Sequence, residues 1–476
     1  MNHGDSSLIL WTDDAASLAW DVETDVLVIG AGGCGLVAAL SAAQEGARVL
    51  VVEKEGKAAG NTALSQGMIP AAGSRLQREA GIQDSPELMA SDILAKNHGE
   101  SDPELTLHVA RQSGPLVDWL VDTLGIQLQL VTSFLYPGHS RYRVHAPTTT
   151  KGVQLLNQIL DACRANGKID IAYGAPARRL VAQPERGAVL GAEVEIKGVG
   201  LNLARASRTI LALNGFGANR EMVSRYIPQM AQAMYFGHEG NTGEGILWGA
   251  ALGAALENMG SYQAHGSVAH PHGTLLTWAA ISLGGYQVNR RGVRFVNENH
   301  GYSEHALDVL AQEDGVAVEI FDQVILDQIA DFEDFRRCME MGAVRRFDTI
   351  RDLALGMRLP VDEMLRTHAS YQRAARGESP DPMGRSDITR PLVPPLYAVQ
   401  VTGALFHTQG GLKVDRRARV MRPDGSLVSN LYAGGGTAAG FSGREGPHGY
   451  LSCNGLLAAL VLGRIAGQEA GREALA

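Results

Sequence analysis

Cysteine is scarce in this chain. Its 476 residues hold four, Cys34, Cys163, Cys338 and Cys453, far apart and without a C-x-x-C or C-x-x-C-H. That spacing excludes iron–sulfur ligation and attached c-type haem, and a reducing, cytoplasmic setting is the natural expectation. Basic charge is also in deficit: the formal net charge is -9, and with no basic stripe to offset it nucleic acid is excluded as a partner. Arg345-Arg346 and Arg416-Arg417 read as isolated solvated pairs. Long apolar runs are missing too. The longest, such as "LLAALVLG" at 456–463, are too short to cross a bilayer, so no transmembrane segment is expected. The opening "MNHGDSSLILWTDD" lacks the basic and long apolar regions of a secretion signal.

What is present is apolar content of 45% and 57 glycines, the profile of a folded, loop-rich α/β protein. The length exceeds what one hydrophobic core usually supports, which predicts two domains or one domain with a large insertion.

Residues 25–53 read "DVLVIGAGGCGLVAALSAAQEGARVLVVE". An apolar strand, Val26–Ile29, leads into Gly30-x-Gly32-x-x-Gly35, then an alanine-rich helix and a second apolar strand ending in Glu53. Gly30 serves the tight turn, Gly32 the approach of a pyrophosphate to the backbone, and Gly35 close helix–strand packing. The helix N-terminus offers free N–H groups to a diphosphate, and Glu53 is placed to accept from a ribose hydroxyl pair. "GKAAGNTALSQGM" (56–68) follows at once with small hydrogen-bonding residues, where a simple nicotinamide dehydrogenase would continue with another βα unit. Much later come "LYAGGGTAAGFSG" (431–443), a strand and glycines, and "GYLSCNGLLAALVLGRIAG" (449–467), a loop running into a helix. A nucleotide fold that closes only after so long an excursion suits a flavin dinucleotide.

Taken in order, "WDVETDVLVIGAGGCG" (20–35), "AGNTALSQG" (59–67), "LALNGFGANREM" (211–222), "NTGEGI" (241–246), "VNRRGVRFVNE" (288–298), "HTQGGLKVD" (407–415) and the C-terminal "YAGGG…GRIAG" resemble the flavoprotein family of soluble fumarate reductases and 3-ketosteroid dehydrogenases. The resemblance implies an α/β fold: a Rossmann-type FAD-binding domain (1–258 and 401–476) interrupted by an α+β capping domain (259–400), with catalysis between them. FAD contacts are then expected from Gly30, Gly32, Gly33, Gly35, Glu53, Lys54, Gly60, Asn61, Thr62, Ser65, Gly67, Ala177, Asn214, Gly215, Gly243, Gly435, Gly436, Ser452, Gly455 and Leu456. Membrane-bound relatives carry FAD covalently on a histidine where this chain has Asn61, so FAD is expected to be bound non-covalently.

Fumarate is a dianion, and the fumarate-reductase pattern surrounds it with arginines and a Glu–Arg proton relay. Here the resemblance places the relay Glu on Trp278, the relay Arg on Ile281, the proton-donating Arg on Tyr302, the clamping Arg on Tyr450 and one of two paired histidines on Phe406. His265, Thr277 and His407 keep family positions. An unpaired bound dicarboxylate costs several kcal/mol, which argues against fumarate. Tyr302 and "GYLS" (Gly449–Ser452) resemble instead the ketosteroid dehydrogenase branch, which desaturates a ring beside its ketone.

The expected chemistry follows. Tyr302 removes the α-proton, Tyr450 polarises the ketone, Ser452 relays protons, and flavin N5 takes the β-hydride; a phenol pKa near ~10 must be lowered or a proton chain provided. His265, Trp278, His407 and Gly449 are assigned to substrate. Blander roles stand beside these: Trp278 in the cap core, His407 capping a strand, Ser452 capping the C-terminal helix. His265, His270 and His272 lack helical ligand spacing and carboxylate partners, so no metal is expected. Arg141 or Arg143, if turned to the pocket, would favour an acidic ring ketone such as a 4-oxocyclohexanecarboxylate. The expected partners are a cyclic ketone, either a 3-ketosteroid or a smaller alicyclic one, and an electron acceptor: oxygen, a quinone or an electron-transfer protein. Two alternatives stay open, an enoate reductase and a flavin electron-transfer subunit of a complex.

Overall fold

The computed structural model describes residues 7–184 and 187–476; the first six residues of the opening stretch discussed above lie outside them. The chain forms two compact units. One comprises the chain up to Ile227 with Gly237–Tyr262 and His407–Ala476, the other Pro228–Phe236 with Gln263–Phe406.

The nucleotide unit is built on a largely parallel sheet. Strand β1 (Val22–Ile29) ends in four consecutive apolar residues, Val26 to Ile29, none more than 3% exposed, as a strand covered on both faces requires. Helix α1 (Gly33–Gln44) follows, then β2 (Val49–Glu53), parallel to β1 in the register Val28 to Val51. Strand β3 (Ile169–Tyr173) extends the sheet beyond β2, and β4 (Gly200–Leu211) lies parallel to β1 on its other side. The turn from β1 into α1 admits only glycine at two points. A Cβ on Gly30 (φ +107) would lie 2.4 Å from Ala212 O, and one on Gly35 1.8 Å from Gly30 O.

The cap unit has its own sheet. Its strands run in the order Thr274–Leu275, β5 (Gly260–Ala269), β8 (Leu396–Thr408), β7 (Val316–Asp322) and β6 (Tyr286–Val288), numbered along the chain. Short helix α2 (His305–Leu310) precedes β7. Tyr286, Phe321, Phe335, Tyr371 and Leu396 fill the core beside this sheet. A buried ion network, Arg294 to Glu298 (2.7 Å) and to Asp381, joins the segment after β6 to a distant loop. Beyond the cap, β9 (Leu427–Ala433) returns to pair with β4, and α3 (Asn454–Leu475) ends the chain.

Helix α3 packs on α1 through glycines four residues apart. Cβ atoms on Gly463, Gly467 and Gly471 would lie 2.5 Å from Cys34 O, 2.1 Å from Ala38 O and 2.9 Å from Ala42 O. One glycine edge along α3 therefore meets one small-residue edge along α1, and the two backbones touch. This contact fixes the N-terminal ends of both helices within the nucleotide unit, where their positive dipole ends are available to anions.

Candidate active site

The N-terminus of α1 is shaped to receive a flavin dinucleotide. Its N-cap is Gly32, which offers no side-chain cap, and its first turn carries no acidic residue. A Cβ on Gly32 would meet only Ala59 O, at 3.9 Å, so this face of the glycine turn is open. Gly33 N–H is held by Thr62 Oγ1 at 3.3 Å. Beside the turn, Glu53 is buried at the end of β2 and its orientation is fixed: one carboxylate oxygen accepts from Ala31 N (2.7 Å), the other from Glu55 N (2.9 Å). An open glycine face, an uncapped helix N-terminus and a fixed carboxylate together suit a diphosphate and a ribose.

The other expected cofactor residues fall into local groups of the same unit. Asn61 Oδ1 accepts from His238 N (2.8 Å) and Asn241 Nδ2 (2.9 Å), so this side chain is engaged with a loop the sequence did not link to it. Lys54 donates to Gly240 O and pairs with Glu244 at 3.0 Å. Ser65 Oγ accepts from Gly67 N at 3.0 Å, and Gly60, at φ +91, has nothing near its would-be Cβ. Asn214 (φ 76), Gly215 and Gly436 are in contact, since a Cβ on Gly436 would lie 2.5 Å from Asn214 Oδ1. Gly435 (φ +60) sits beside Cys34, and Gly243 (φ +83) starts the helix Glu244–Ala251 against Met222. Ala177 opens the strand Ala177–Ala182.

At the C-terminal loop, Tyr450 is buried with its hydroxyl 3.5 Å from Gly455 N, and its ring lies edge-on to His407 at 5.3 Å. Burial pushes the Tyr450 phenol well above its ordinary value and holds His407 down at about 4, so at neutral pH both are uncharged and Tyr450 keeps its proton. His407 Nδ1 accepts from Gln409 Nε2 at 3.0 Å. A Cβ on Gly455 would press on His407 Cε1 at 2.8 Å, and one on Gly449 on Ser442 O at 2.1 Å; Leu456, half-buried, continues the first turn of α3. Ser452 is not the cap of α3. That position falls on Cys453, in the left-handed region (φ 70) and without a side-chain cap. Ser452 is buried instead, its carbonyl accepting from His139 Nε2 at 2.8 Å. His139 carries no motif, and its partner lies over three hundred residues away; nothing in the sequence pointed to it.

In the cap unit, Tyr302 stands half-buried in the turn before α2. The turn is tied to β5 by Gly266 N donating to Tyr302 O (3.0 Å) and Ala264 N to Ser303 Oγ (2.9 Å). The Tyr302 ring stacks on His265 at 5.2 Å, and Phe406 also stacks on His265, at 5.5 Å. Trp278, 8% exposed, closes the cluster edge-on to His265 and Tyr302. Burial holds the His265 imidazole neutral, down at about 3, and its Nδ1 accepts from Ser267 N at 3.1 Å. Trp278 thus shares one aromatic cluster with Tyr302, and that cluster is without charge. Phe236, stacked on Phe406 at 4.9 Å, belongs to it and was not anticipated.

A family model described as an FAD binding domain matches residues 25–449, most of the chain. The fumarate reductase (cytochrome) of Shewanella frigidimarina is 30% identical over 450 residues, which cover 94% of this chain and 77% of that protein. The open conformation of a flavocytochrome c3 fumarate reductase superposes with TM-score 0.84 at 27% identity, covering 97% of this chain and 80% of that one. The 3-ketosteroid-Δ4-(5α)-dehydrogenase of Rhodococcus jostii superposes with TM-score 0.76 at 26% identity, over 97% of this chain and 100% of that one. The chain belongs to the FAD-dependent fumarate reductase and 3-ketosteroid dehydrogenase family. It is therefore an FAD-dependent oxidoreductase acting on carbon–carbon single or double bonds. Among the described residues no helix is long and apolar enough to cross a membrane.

For a member of this family, where the arginines go decides what charge a substrate can carry. Arg143 does not face a pocket. It is fully buried and saturated by Asp84 (2.9 and 3.0 Å) and Asp92 (2.7 Å). Arg141 is exposed and donates to Gln83 O and Ser140 O. The expectation that either would greet an acidic substituent is thereby corrected: Asp84, in the loop before the helix Pro86–Lys96, and Asp92, within that helix, claim Arg143 first. In the cap, Arg294 is held by Glu298 and Asp381, and Arg385 by Asp387 and two backbone carbonyls. Each of these buried guanidiniums is already neutralised by the protein itself.

Proposed function

We propose that this enzyme is a dehydrogenase that introduces a double bond beside the ketone of an uncharged cyclic substrate. The observation that carries this reading is the character of the residues at the substrate positions. Tyr302, Trp278 and Phe406 form a neutral aromatic cluster, Tyr450 is a protonated phenol, and the buried arginines are spoken for. An uncharged apolar ring gains from such surroundings by burial, roughly 25 cal/mol per Å² of apolar surface removed from water. A dicarboxylate would leave charge unpaired at a cost of several kcal/mol.

FAD, when bound, supplies the two-electron acceptor for the oxidation. The chain's own residues handle the proton and the developing charge. Tyr302 acts as the base toward the carbon next to the carbonyl, passing its own phenolic proton on to solvent as it takes the substrate's. Tyr450 donates to the ketone oxygen, where enolate charge builds, and its burial makes that donation stronger than it would be in water. His407, neutral and turned to Gln409, packs against the Tyr450 ring and limits its motion. The uncapped N-terminus of α3, starting at Asn454, offers a positive dipole end for negative charge on the reduced cofactor.

The test is anaerobic mixing of the purified yellow protein with a panel of cyclic ketones while flavin absorbance is followed. Bleaching by a neutral ketone, with the enone recovered as product, is the expected result. A second reading is favoured by the similarity to the Shewanella frigidimarina fumarate reductase: reduction of an enoate. Oxidation of chemically reduced enzyme by fumarate, with no bleaching by any ketone, would establish that reading and refute the first.

A further inference from the structure

The segment that carries Tyr302 also brings together His300, His305 and Asp308. One ligand atom from each lies within 4.8 Å of the others. His300 Nε2 is 3.0 Å from Asp308 Oδ2, and His305 Nδ1 is 3.9 Å from the same oxygen. His305 is fully buried, His300 exposed and Asp308 half-exposed.

The tautomer of His305 follows from its neighbours. Gln287 Nε2 lies 3.2 Å from Gly266 O and 2.9 Å from Glu319 Oε2; a carbonyl only accepts, so the amide NH2 of Gln287 is on that side. Its Oε1 therefore faces His305 Nε2, at 2.9 Å, and Nε2 must carry the proton. His305 Nδ1 is then an unprotonated lone pair, and among the described residues nothing hydrogen-bonds to it. The buried Nδ1 lone pair thus lies beside a carboxylate oxygen that His300 Nε2 also approaches, and among the described residues no donor reaches the lone pair itself. A cation held by all three groups would stabilise that arrangement.

We infer that His300 Nε2, His305 Nδ1 and Asp308 bind a divalent transition ion of the zinc class. Two imidazoles and a carboxylate are the borderline donor set that such ions prefer. Bonds of ~2.0–2.2 Å would place the donor atoms roughly 3.3–3.6 Å apart, and small rotations of the exposed His300 ring and the half-exposed Asp308 carboxylate are what close the remaining distances. Gln287 supplies the outer contact that fixes the ring of a metal-bound histidine, and the exposed side leaves room for a water as fourth ligand. Because His300 and His305 stand on either side of Tyr302, the ion would cross-link both ends of that turn.

The test uses the full-length, FAD-loaded protein stripped with EDTA and gel-filtered. Zn2+ is titrated by calorimetry and Co2+ by absorbance at wavelengths beyond the flavin bands. One ion per chain is expected, with affinity lowered at least about ten-fold by His300→Ala and by Asp308→Asn. Zn2+ should also raise the Tm of the wild type more than that of either variant. Both positions reach solvent, so an unchanged flavin spectrum and an unchanged Tm in EDTA show that the fold is intact. Absence of saturable binding, or binding that both variants retain at full strength, overturns the assignment.

Discussion

Replacing Gly467 by alanine separates two opposing effects that the structure allows to be weighed. In an isolated helix the change is favourable by about 1 kcal/mol, because glycine loses more backbone freedom on folding. Here the new Cβ would lie 2.1 Å from Ala38 O, 2.8 Å from Ser41 Cβ and 2.9 Å from Ala38 C. The first of these is roughly 1 Å short of any ordinary contact, and the atom in the way is backbone, so no side-chain rotation relieves it. The helices must move apart, and overpacking of this kind costs about 1–3 kcal/mol or somewhat more. Destabilisation should therefore win by up to about 2 kcal/mol, which for a chain of 476 residues lowers Tm by about 1–2 °C. Gly167→Ala, in a turn with nothing within 4 Å of its Cβ, is a control free of any clash. Thermal unfolding followed by circular dichroism, with flavin fluorescence recorded in parallel, reads both. A Gly467→Ala protein as stable as the wild type, or more so, would refute the claim that α1 and α3 touch through their backbones.

Other consequences concern chemistry and pH. Tyr302→Phe should lower the rate of ketone-dependent flavin bleaching by about 100-fold or more while FAD stays bound, and a wild-type rate would remove Tyr302 from the mechanism. Glu53→Gln should weaken FAD retention about 10- to 100-fold through loss of charge-assisted hydrogen bonds, read from flavin released on dilution. His139, His145, His305, His368 and His407 are held by burial at about 4, and His265 at about 3. Below their ordinary value of 6.5 the unfolded chain binds protons that the folded chain refuses, so stability should fall as pH drops from about 6.5 toward 4. Buried Glu319, raised to about 7, acts oppositely, favouring the fold at low pH and losing that contribution as pH rises toward 7. One carboxyl against six imidazoles leaves the histidine trend dominant, and a Tm unchanged or higher at pH 4.5 than at pH 7 would contradict it.

How legible each part was depended on how local its cause is. The glycine turn, the adjoining strands and Glu53 announce themselves within thirty residues, because strand, turn and helix N-terminus are each set by short-range sterics. The repeat of Gly463, Gly467 and Gly471 is visible in the sequence as well. That it faces Cys34, Ala38 and Ala42 is not, since the matching edge lies some four hundred residues earlier. Asn61 illustrates the same limit. Its type argued for a non-covalent flavin, while its actual partners, His238 and Asn241, come from a loop with no sequence link to it.

The sequence by itself determined the dinucleotide cradle, because such a turn needs particular residues at particular spacings, and the ordered motifs along the chain carried the resemblance to the family. Residue type is read directly too, so Tyr302, Trp278, Phe406 and Tyr450 stand out as uncharged where the resemblance to fumarate reductases implies polar or charged groups. Only the tertiary structure decided what those residues do with one another. Arg143 is neutralised by Asp84 and Asp92 rather than offered to a ligand, Ser452 leaves the helix cap to Cys453, and Trp278 joins the cluster around Tyr302. The same holds for His305, whose lone pair is set by Gln287 eighteen residues away in sequence. Charge pairing, tautomers and ring contacts depend on which atoms come within a few ångströms, and that distance is a property of the folded chain alone.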